Sequence, residues 1–130
     1  MIERLAAVLE ADPRVAFAIL FGSQGRASTH PRSDTDLALG VTSGTRFSVQ
    51  ELGDLVSRLE TAAGGPVDLV LLDEAGPALA YRVFRDGRVI LEKDRRALTE
   101  RKARAILDYL DFRPVEEAFT RAVLQSGGRG

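Results

Sequence analysis

The 130-residue chain has no cysteine, no tryptophan and a single histidine. It therefore has no disulfide bond, thiolate metal site or cysteine nucleophile, and it lacks the residues for a histidine-rich metal site. The formal net charge of −1 gives no bulk attraction to nucleic acid or anionic lipid, so we expect neither as a direct partner.

Long hydrophobic runs are also missing. The longest, residues 15–21, is too short to span a bilayer. The apolar residues near the N-terminus are interrupted by three charged residues, Glu3, Arg4 and Glu10. Such interruptions are atypical of a secretory signal peptide. We therefore predict a cytoplasmic protein.

The composition that remains is that of an ordinary soluble domain, with 45% hydrophobic and 28% charged residues. This balance excludes disordered, collagen-like and coiled-coil chains. The length suits one domain, which we place at residues 1–125. Glycine and polar residues make up 126–130, and we expect a disordered tail there.

Hydrophobic periodicity predicts helices that alternate with strands. A first helix ends at Asp12-Pro13, a second begins with the capping box of Ser48 and Glu51, and a third covers 78–85. Strands are expected at 15–21, 34–41, 67–72 and 88–92, and the remainder is helical with an interruption at Pro114. We predict an α/β fold with a small mixed sheet flanked by helices and a helical C-terminus.

The helical C-terminal part carries apolar residues at helical spacing on both sides of Pro114. The first stripe is Ala103, Ile106, Leu107 and Leu110, and the second is Val115, Ala118, Phe119 and Ala122. We expect the second stripe to be core, and the alternative is an interface helix. The same half of the chain is rich in arginine, for which solvated faces are the favoured interpretation and a docking surface for an acidic partner the alternative.

Two acidic residues, Asp34 and Asp36, flank Thr35 at the start of the second predicted strand. Because strand side chains alternate between faces, both carboxylates are expected on one side and Thr35 on the other. Adjacent carboxylates repel unless a cation joins them, and their hard oxygen atoms suit Mg²⁺ or Mn²⁺. An isolated Asp-x-Asp is often only a turn or a pair of solvated acids, so the surrounding residues decide its meaning.

Gly22-Ser23 lies where the first buried strand gives way to a loop, and ten residues separate Ser23 from Asp34. Glycine lets a phosphate approach the backbone closely, and the serine hydroxyl with nearby N–H groups can bind phosphate oxygens. Arg26 either reaches the same phosphate or is a solvated loop charge. His30 follows in a proline-flanked loop with no evident partner, which argues against a serine nucleophile.

A third carboxylate would complete a two-metal site. Asp68 is the first candidate because it is a charge within an otherwise apolar strand, where it is costly unless paired or metal-bound. Asp73, at the end of that strand, ranks second. The alternative for Asp68 is a surface acid on an edge strand.

The pattern G-S-x10-D-x-D, from Gly22 to Asp36, resembles the signature of the DNA polymerase beta-like nucleotidyltransferase superfamily. The segments 21–26, 33–37, 67–70 and 109–114 are similar to those of MNT-type minimal nucleotidyltransferases, including the MntA-family adenylyltransferase antitoxins. Many relatives have Ala-Arg-Gly where this chain has Gly25-Arg26-Ala27.

The resemblance implies an antitoxin that transfers AMP from ATP to a tyrosine of a HEPN ribonuclease toxin and thereby silences it. It implies that Gly22 and Ser23 hold the triphosphate, that Asp34 and Asp36 bind two Mg²⁺ ions (or Mn²⁺), and that Asp68 binds the ion that activates the hydroxyl. ATP and the HEPN toxin are the expected partners. The alternatives are an antitoxin that only masks the toxin, and a transferase acting on a small molecule.

Overall fold

The computed structural model describes residues 1–22 and 34–127. Its elements in chain order are α1 (Ile2–Glu10), β1 (Val15–Phe21), β2 (Thr35–Val41), α2 (Val49–Ala63), β3 (Val67–Leu71), a 3₁₀ turn (Leu72–Glu74), α3 (Pro77–Asp86), β4 (Arg88–Glu92) and α4 (Arg95–Gly127). The predicted helices and strands are present within one or two residues of their expected bounds, except at the C-terminus.

The strands of the described residues form one sheet in the order β3-β2-β1-β4. β1 is antiparallel to both of its neighbours, whereas β2 and β3 run parallel and are joined by α2. Parallel neighbours need such a crossover, and a helix usually supplies it. The small mixed sheet flanked by helices is confirmed.

Local sequence signals account for the bounds of α2. The Glu51 N–H donates to Ser48 Oγ at 3.0 Å, and the Ser48 N–H donates to Glu51 Oε1 at 2.8 Å, so the capping box is formed. At the other end Gly64 adopts φ +76°, a left-handed conformation that glycine reaches without a Cβ penalty. The capping box prediction is confirmed.

Helices cover both faces of the sheet. Leu37 and Leu39 of β2 belong to a core that includes the inward leucines of α1 and α2. Ala38, between them, belongs to a second core with Val83 of α3 and Ala105 of α4. Central strand β1 contributes to both cores, which explains why it is a continuous apolar run.

The predicted interruption at Pro114 is wrong, because α4 is one helix from Arg95 to Gly127 with Pro114 inside it. Proline in a helix removes the hydrogen bond to the carbonyl four residues earlier, here that of Leu110. Leu110 and Pro114 are both exposed, so water can hydrate that carbonyl in place of the missing N–H. The helix extends to Gly127, and residues 128–130 lie outside the described part.

The second apolar stripe of α4 is not core, which corrects the expectation. Val115 is 63% exposed and Phe119 is 70% exposed. The side of α4 that packs on the domain carries Leu98 and Ala105, and Tyr109 stacks on Tyr81 of α3 at 4.2 Å between ring centroids. The spacing of apolar residues therefore predicted the helix but not the face that packs.

Among the described residues, no helix is both long enough and apolar enough to cross a membrane.

Candidate active site

Asp36 and Asp68 are directly paired in the structure. The parallel register of β2 and β3 sets Asp36 opposite Asp68 and Leu37 opposite Leu69. Paired residues on neighbouring strands point to the same face of a sheet, so the two carboxylates lie on one side. Asp36 is half-buried, and Asp68 is exposed on the edge strand.

The face that carries these carboxylates is the one that α3 and α4 cover. Ala38, two residues after Asp36 on β2, belongs to the core beneath these helices. Phe21 is the partner of Asp36 on β1, and it packs against the same core. The two acids therefore lie where β1 ends and β2 and β3 begin, at the rim of the α3–α4 face.

Gly22 directly follows β1 and touches this site. Its φ is +76°, and a Cβ at this position would overlap Asp36 Oδ2. Any other residue would meet both the backbone penalty and the steric conflict. The glycine thus lets the backbone at the end of β1 pass directly beside a carboxylate.

Asp34 lies just before β2 and is exposed, while Thr35 behind it is buried. The Thr35 hydroxyl is 3.8 Å from Met1 Sδ and its N–H donates to Pro66 O at 3.0 Å. Thr35 therefore points away from the Asp36 side, as the alternation predicted. Its hydrogen bond to Pro66 joins the start of β2 to the start of β3.

Sequence reasoning missed Glu60 of α2. Glu60 Oε2 accepts a hydrogen bond of 3.2 Å from the backbone N–H of Val67, the residue before Asp68. This hydrogen bond links the start of edge strand β3 to α2. It therefore stabilises the strand register in which Asp68 lies opposite Asp36. Nothing in the sequence distinguishes Glu60 from an ordinary solvated acid of an amphipathic helix.

The structural argument for Asp68 as a site residue differs from the argument made from the sequence. Its side chain is exposed on an edge strand, so it is not a costly buried charge. Its register with Asp36 is what places it in the site. Asp73, the second-ranked candidate, lies beyond the opposite end of β3 and forms an ion pair with Arg101.

A divalent cation fits the donors available here. Within residues 1–22 and 34–127, no three acidic or histidine side chains are close enough to hold one ion. Mg²⁺, however, commonly takes one or two carboxylates and completes its shell with water and substrate phosphates. The adjacent carboxylates of Asp36 and Asp68 meet that requirement, and Asp34 lies two residues from Asp36.

Ser23, Arg26 and His30 lie outside the described residues. The expected roles of Ser23 and Arg26 in binding the triphosphate remain predictions.

Comparison with known proteins identifies relatives of this fold. Residues 3–96 match the family described as "Polymerase beta, Nucleotidyltransferase". The match ends just after the start of α4. The comparison with curated proteins found no match.

Several solved structures share nearly the whole fold. A toxin–antitoxin structure with AMP-PNP is 22% identical, with 95% of this chain and 98% of that chain covered and a TM-score of 0.81. An MNT antitoxin in complex with tri-AMPylated Shewanella oneidensis HEPN toxin is 20% identical, with 95% of each chain covered and a TM-score of 0.76. An MntA–HepT toxin–antitoxin structure is 20% identical over 95% of this chain and 96% of that chain, with a TM-score of 0.75. The expected polymerase beta-like fold and the resemblance to MNT-type proteins are confirmed.

Proposed function

Because this chain belongs to the polymerase beta nucleotidyltransferase family, we propose that it is a protein adenylyltransferase that acts as an antitoxin. Its substrate is ATP, and the acceptor is a tyrosine hydroxyl of a cognate HEPN toxin. The modification neutralises the toxin. The reaction takes place at the rim where β1 ends and β2 and β3 begin.

The observation that carries this proposal is the contact geometry of Gly22, Asp36 and Asp68. Two carboxylates paired across parallel strands, with a left-handed glycine against one of them, form an acidic centre beside a loop suited to phosphate. Carboxylate oxygens are ligands that Mg²⁺ prefers, and Mg²⁺ completes its shell with water and substrate phosphates. An ion and the triphosphate of ATP would therefore bind together at this position.

Each residue has a proposed role. Asp34 and Asp36 would hold two Mg²⁺ ions (or Mn²⁺), and Asp68 would bind the ion that activates the hydroxyl. When bound, such ions would neutralise charge on the leaving group and lower the pKa of the attacking hydroxyl. Gly22 and Ser23 bind the triphosphate, and Arg26 contacts a phosphate oxygen.

The chemical step is an in-line displacement at the α-phosphorus of ATP. The tyrosine oxygen forms a bond to that phosphorus, and the bond to the bridging oxygen of pyrophosphate breaks. In this proposal the Asp68 carboxylate accepts the hydroxyl proton. The products are the tyrosine–AMP phosphodiester and pyrophosphate.

The similar solved structures support the choice of nucleotide and acceptor. One contains AMP-PNP, an ATP analogue, and another pairs an MNT antitoxin with an AMPylated HEPN toxin. The acceptor and the transferred group are the two parts of the proposal that a labelling experiment tests directly.

The test is transfer of label from α-labelled ATP. The protein is mixed with Mg²⁺ and the protein encoded beside it, and label on that neighbour is measured after denaturing electrophoresis. We expect transfer by the wild type and none by the Asp34→Asn/Asp36→Asn double variant. Asp54→Asn, an exposed acid on α2, is the matched control and should transfer label normally.

A masking antitoxin would behave differently. It would bind the neighbour and suppress its toxicity without moving label, and the double variant would protect cells as well as the wild type. That result would contradict the transferase proposal. Label moving to an aminoglycoside or another small molecule, and not to the protein, would favour the small-molecule alternative.

A further inference from the structure

One peptide group at the start of β3, between Pro66 and Val67, is held from both sides. Its carbonyl oxygen accepts a hydrogen bond of 3.0 Å from the N–H of Thr35, and its N–H donates to Glu60 Oε2 at 3.2 Å. The first bond joins the start of β3 to β2, and the second joins it to the last turn of α2. The two bonds together fix where this end of the strand lies.

Both acidic segments of the candidate site lie next to this peptide group. Thr35 stands between Asp34 and Asp36, and Val67 is followed directly by Asp68. Asp36 and Asp68 are opposite each other in the parallel ladder. The position of the peptide group therefore sets how the carboxylates of the two strands stand relative to each other.

Glu60 also shapes the connection that leads into β3. Its backbone carbonyl accepts the N–H of Gly64 at 2.9 Å and that of Gly65 at 3.3 Å, while its half-buried side chain accepts the N–H of Val67. In a trans peptide group the C=O and the N–H point in opposite directions, so the Val67 N–H points away from β2. It faces the side on which the sheet of the described residues ends, and there the carboxylate takes the place of a further strand.

The start of β3 has few other constraints. The strand has five residues, it lies at the edge of the sheet, and Asp68 is its second residue. Gly64 and Gly65 precede Pro66, and glycine has more conformational freedom to lose on folding than any other residue. Segments with few buried contacts open locally at low free-energy cost. Loss of the Glu60 hydrogen bond should therefore let the segment that carries Asp68 fray.

We propose that Glu60 is a positioning residue that holds Asp68 opposite Asp36 and so keeps the Asp68 carboxylate where the reaction needs it. This inference rests on the proposed function. Glu60 acts through the backbone of β3, to which its carboxylate is bonded. A misplacement of about 1 Å can cost roughly 10²-fold in rate, so loss of Glu60 should lower kcat. Binding of ATP, which the proposed function assigns to Gly22 and Ser23, should not change.

The first experiment compares Glu60→Ala with Glu60→Gln. Alanine removes the acceptor, whereas glutamine keeps an oxygen atom that can accept the Val67 N–H. Labelled AMP transfer to the protein encoded beside the chain is measured at saturating ATP and acceptor, and the Kd for ATP is measured by calorimetry in the presence of Mg²⁺. We expect kcat to fall roughly tenfold or more in Glu60→Ala and to stay within about threefold of wild type in Glu60→Gln. The Kd for ATP should be unchanged in both, and equal losses of kcat in the two variants would contradict a hydrogen-bonding role.

Two control variants separate positioning from a general loss of stability. Thr61→Ala changes the neighbouring residue, whose hydroxyl donates to Ser57 O within α2. Glu51→Ala removes the capping box at the start of the same helix. Thr61→Ala should keep wild-type transfer, and Glu51→Ala should lower the urea midpoint without lowering kcat. A loss of kcat in Glu51→Ala as large as that in Glu60→Ala would assign the effect to the stability of α2 and overturn the proposal.

A double-variant cycle tests whether Glu60 acts through Asp68. It compares the wild type, Glu60→Ala, Asp68→Asn and the variant that carries both substitutions. Once the Asp68 carboxylate is gone its position no longer matters, so we expect Glu60→Ala to lower kcat by less than about twofold further in that background. Losses that multiply would mean that Glu60 acts on another part of the molecule, and they would overturn the proposal.

Amide hydrogen exchange gives a readout that does not need the reaction. Exchange of the Val67 N–H, measured by NMR, should be roughly tenfold faster or more in Glu60→Ala than in the wild type, and unchanged in Thr61→Ala. If the wild type transfers label and Glu60→Ala keeps the wild-type kcat, the positioning proposal is overturned and the transferase stands. If the wild type transfers no label, the proposed function fails and the exchange rate still decides, since an unchanged rate overturns the hold of Glu60 on β3 and a faster one supports it.

Discussion

Asp36 and Asp68 occupy the same level of two parallel strands, joined by the β2–β3 ladder and separated along the chain by the whole of α2. Their positions differ in one respect. Asp36 lies within the sheet and contacts the backbone after β1, whereas Asp68 lies on the open edge. The two carboxylates should consequently respond differently to substitution.

Asp68→Asn should abolish most AMP transfer without changing the free energy of unfolding. The carboxylate is exposed, so the amide is accommodated, but the proposed metal ligand and proton acceptor is lost. We expect a drop of about 10² or more in kcat, the scale seen when general-base catalysis is removed. Initial rates at saturating ATP test the loss of AMP transfer. Urea denaturation tests the unchanged free energy of unfolding.

Asp73→Asn is the control for Asp68→Asn, because Asp73 lies beyond the other end of β3 and pairs with Arg101. It should keep wild-type transfer. Equal losses of AMP transfer in both variants would mean that the reaction depends on β3 as a whole. It would not depend specifically on Asp68, the residue opposite Asp36.

Gly22→Ala should lose transfer and stability together. The added methyl overlaps Asp36 Oδ2 and the backbone at φ +76° disfavours a Cβ, a conformational cost of about 1 kcal/mol before the steric conflict is added. Gly44→Ala separates the two effects, since Gly44 has φ +79° but nothing within 4 Å of the added Cβ. It should lose about 1 kcal/mol and retain full transfer. Transfer by Gly22→Ala at the level of Gly44→Ala would contradict a role for this contact.

Most of the sheet and part of the site were predictable because their signals are local. A capping box and a buried apolar run each act within a few residues, and Ser48 and β1 behave as the sequence predicts. The pairing of Asp36 with Asp68 depends on strand register, a relationship between segments that a single sequence does not fix. The role of Glu60 in holding β3 depends on the same long-range placement.

Asp12→Asn should destabilise the protein at neutral pH and much less in acid. The Arg14 guanidinium hydrogen-bonded to Asp12 holds the pKa of that carboxyl below its ordinary value of 3.8. A lowered folded-state pKa adds stability that is present above about pH 4 and is lost as the pH falls through the folded-state value. We expect a deficit of about 1–2 kcal/mol at pH 7, from weakened charge-assisted hydrogen bonds, that shrinks below pH 4. Urea titrations from pH 3 to pH 7 measure it.

The control for Asp12→Asn is Glu100→Gln, which breaks an exposed i,i+4 pair with Arg96. Exposed pairs contribute little, so it should leave the unfolding midpoint unchanged at every pH. A deficit for Asp12→Asn that stays constant down to pH 3 would contradict the titration argument.

Phe17→Ala and Phe119→Ala should differ sharply in their effect on stability. Phe17 is fully buried, and its loss leaves a cavity that typically costs 3–5 kcal/mol. Phe119 is 70% exposed on α4, and surface changes usually stay within about 0.5 kcal/mol. Thermal unfolding of the two variants checks this, and a large loss in Phe119→Ala would mean that the second stripe packs against the domain after all.

The two phenylalanines also show why the C-terminal half was predicted less well. Helical periodicity reports an apolar face and does not say what covers it, so the stripe of Phe119 read as core. A buried strand such as β1 has no such ambiguity, because both of its faces are apolar.

The exposed edge position of Asp68 has a consequence for how this protein can change over time. If Asp68 has its proposed role, a substitution there alters the reaction without disturbing the core. Activity and the stability of the fold can then change independently, so a folded protein without transferase activity lies one substitution away from the active enzyme.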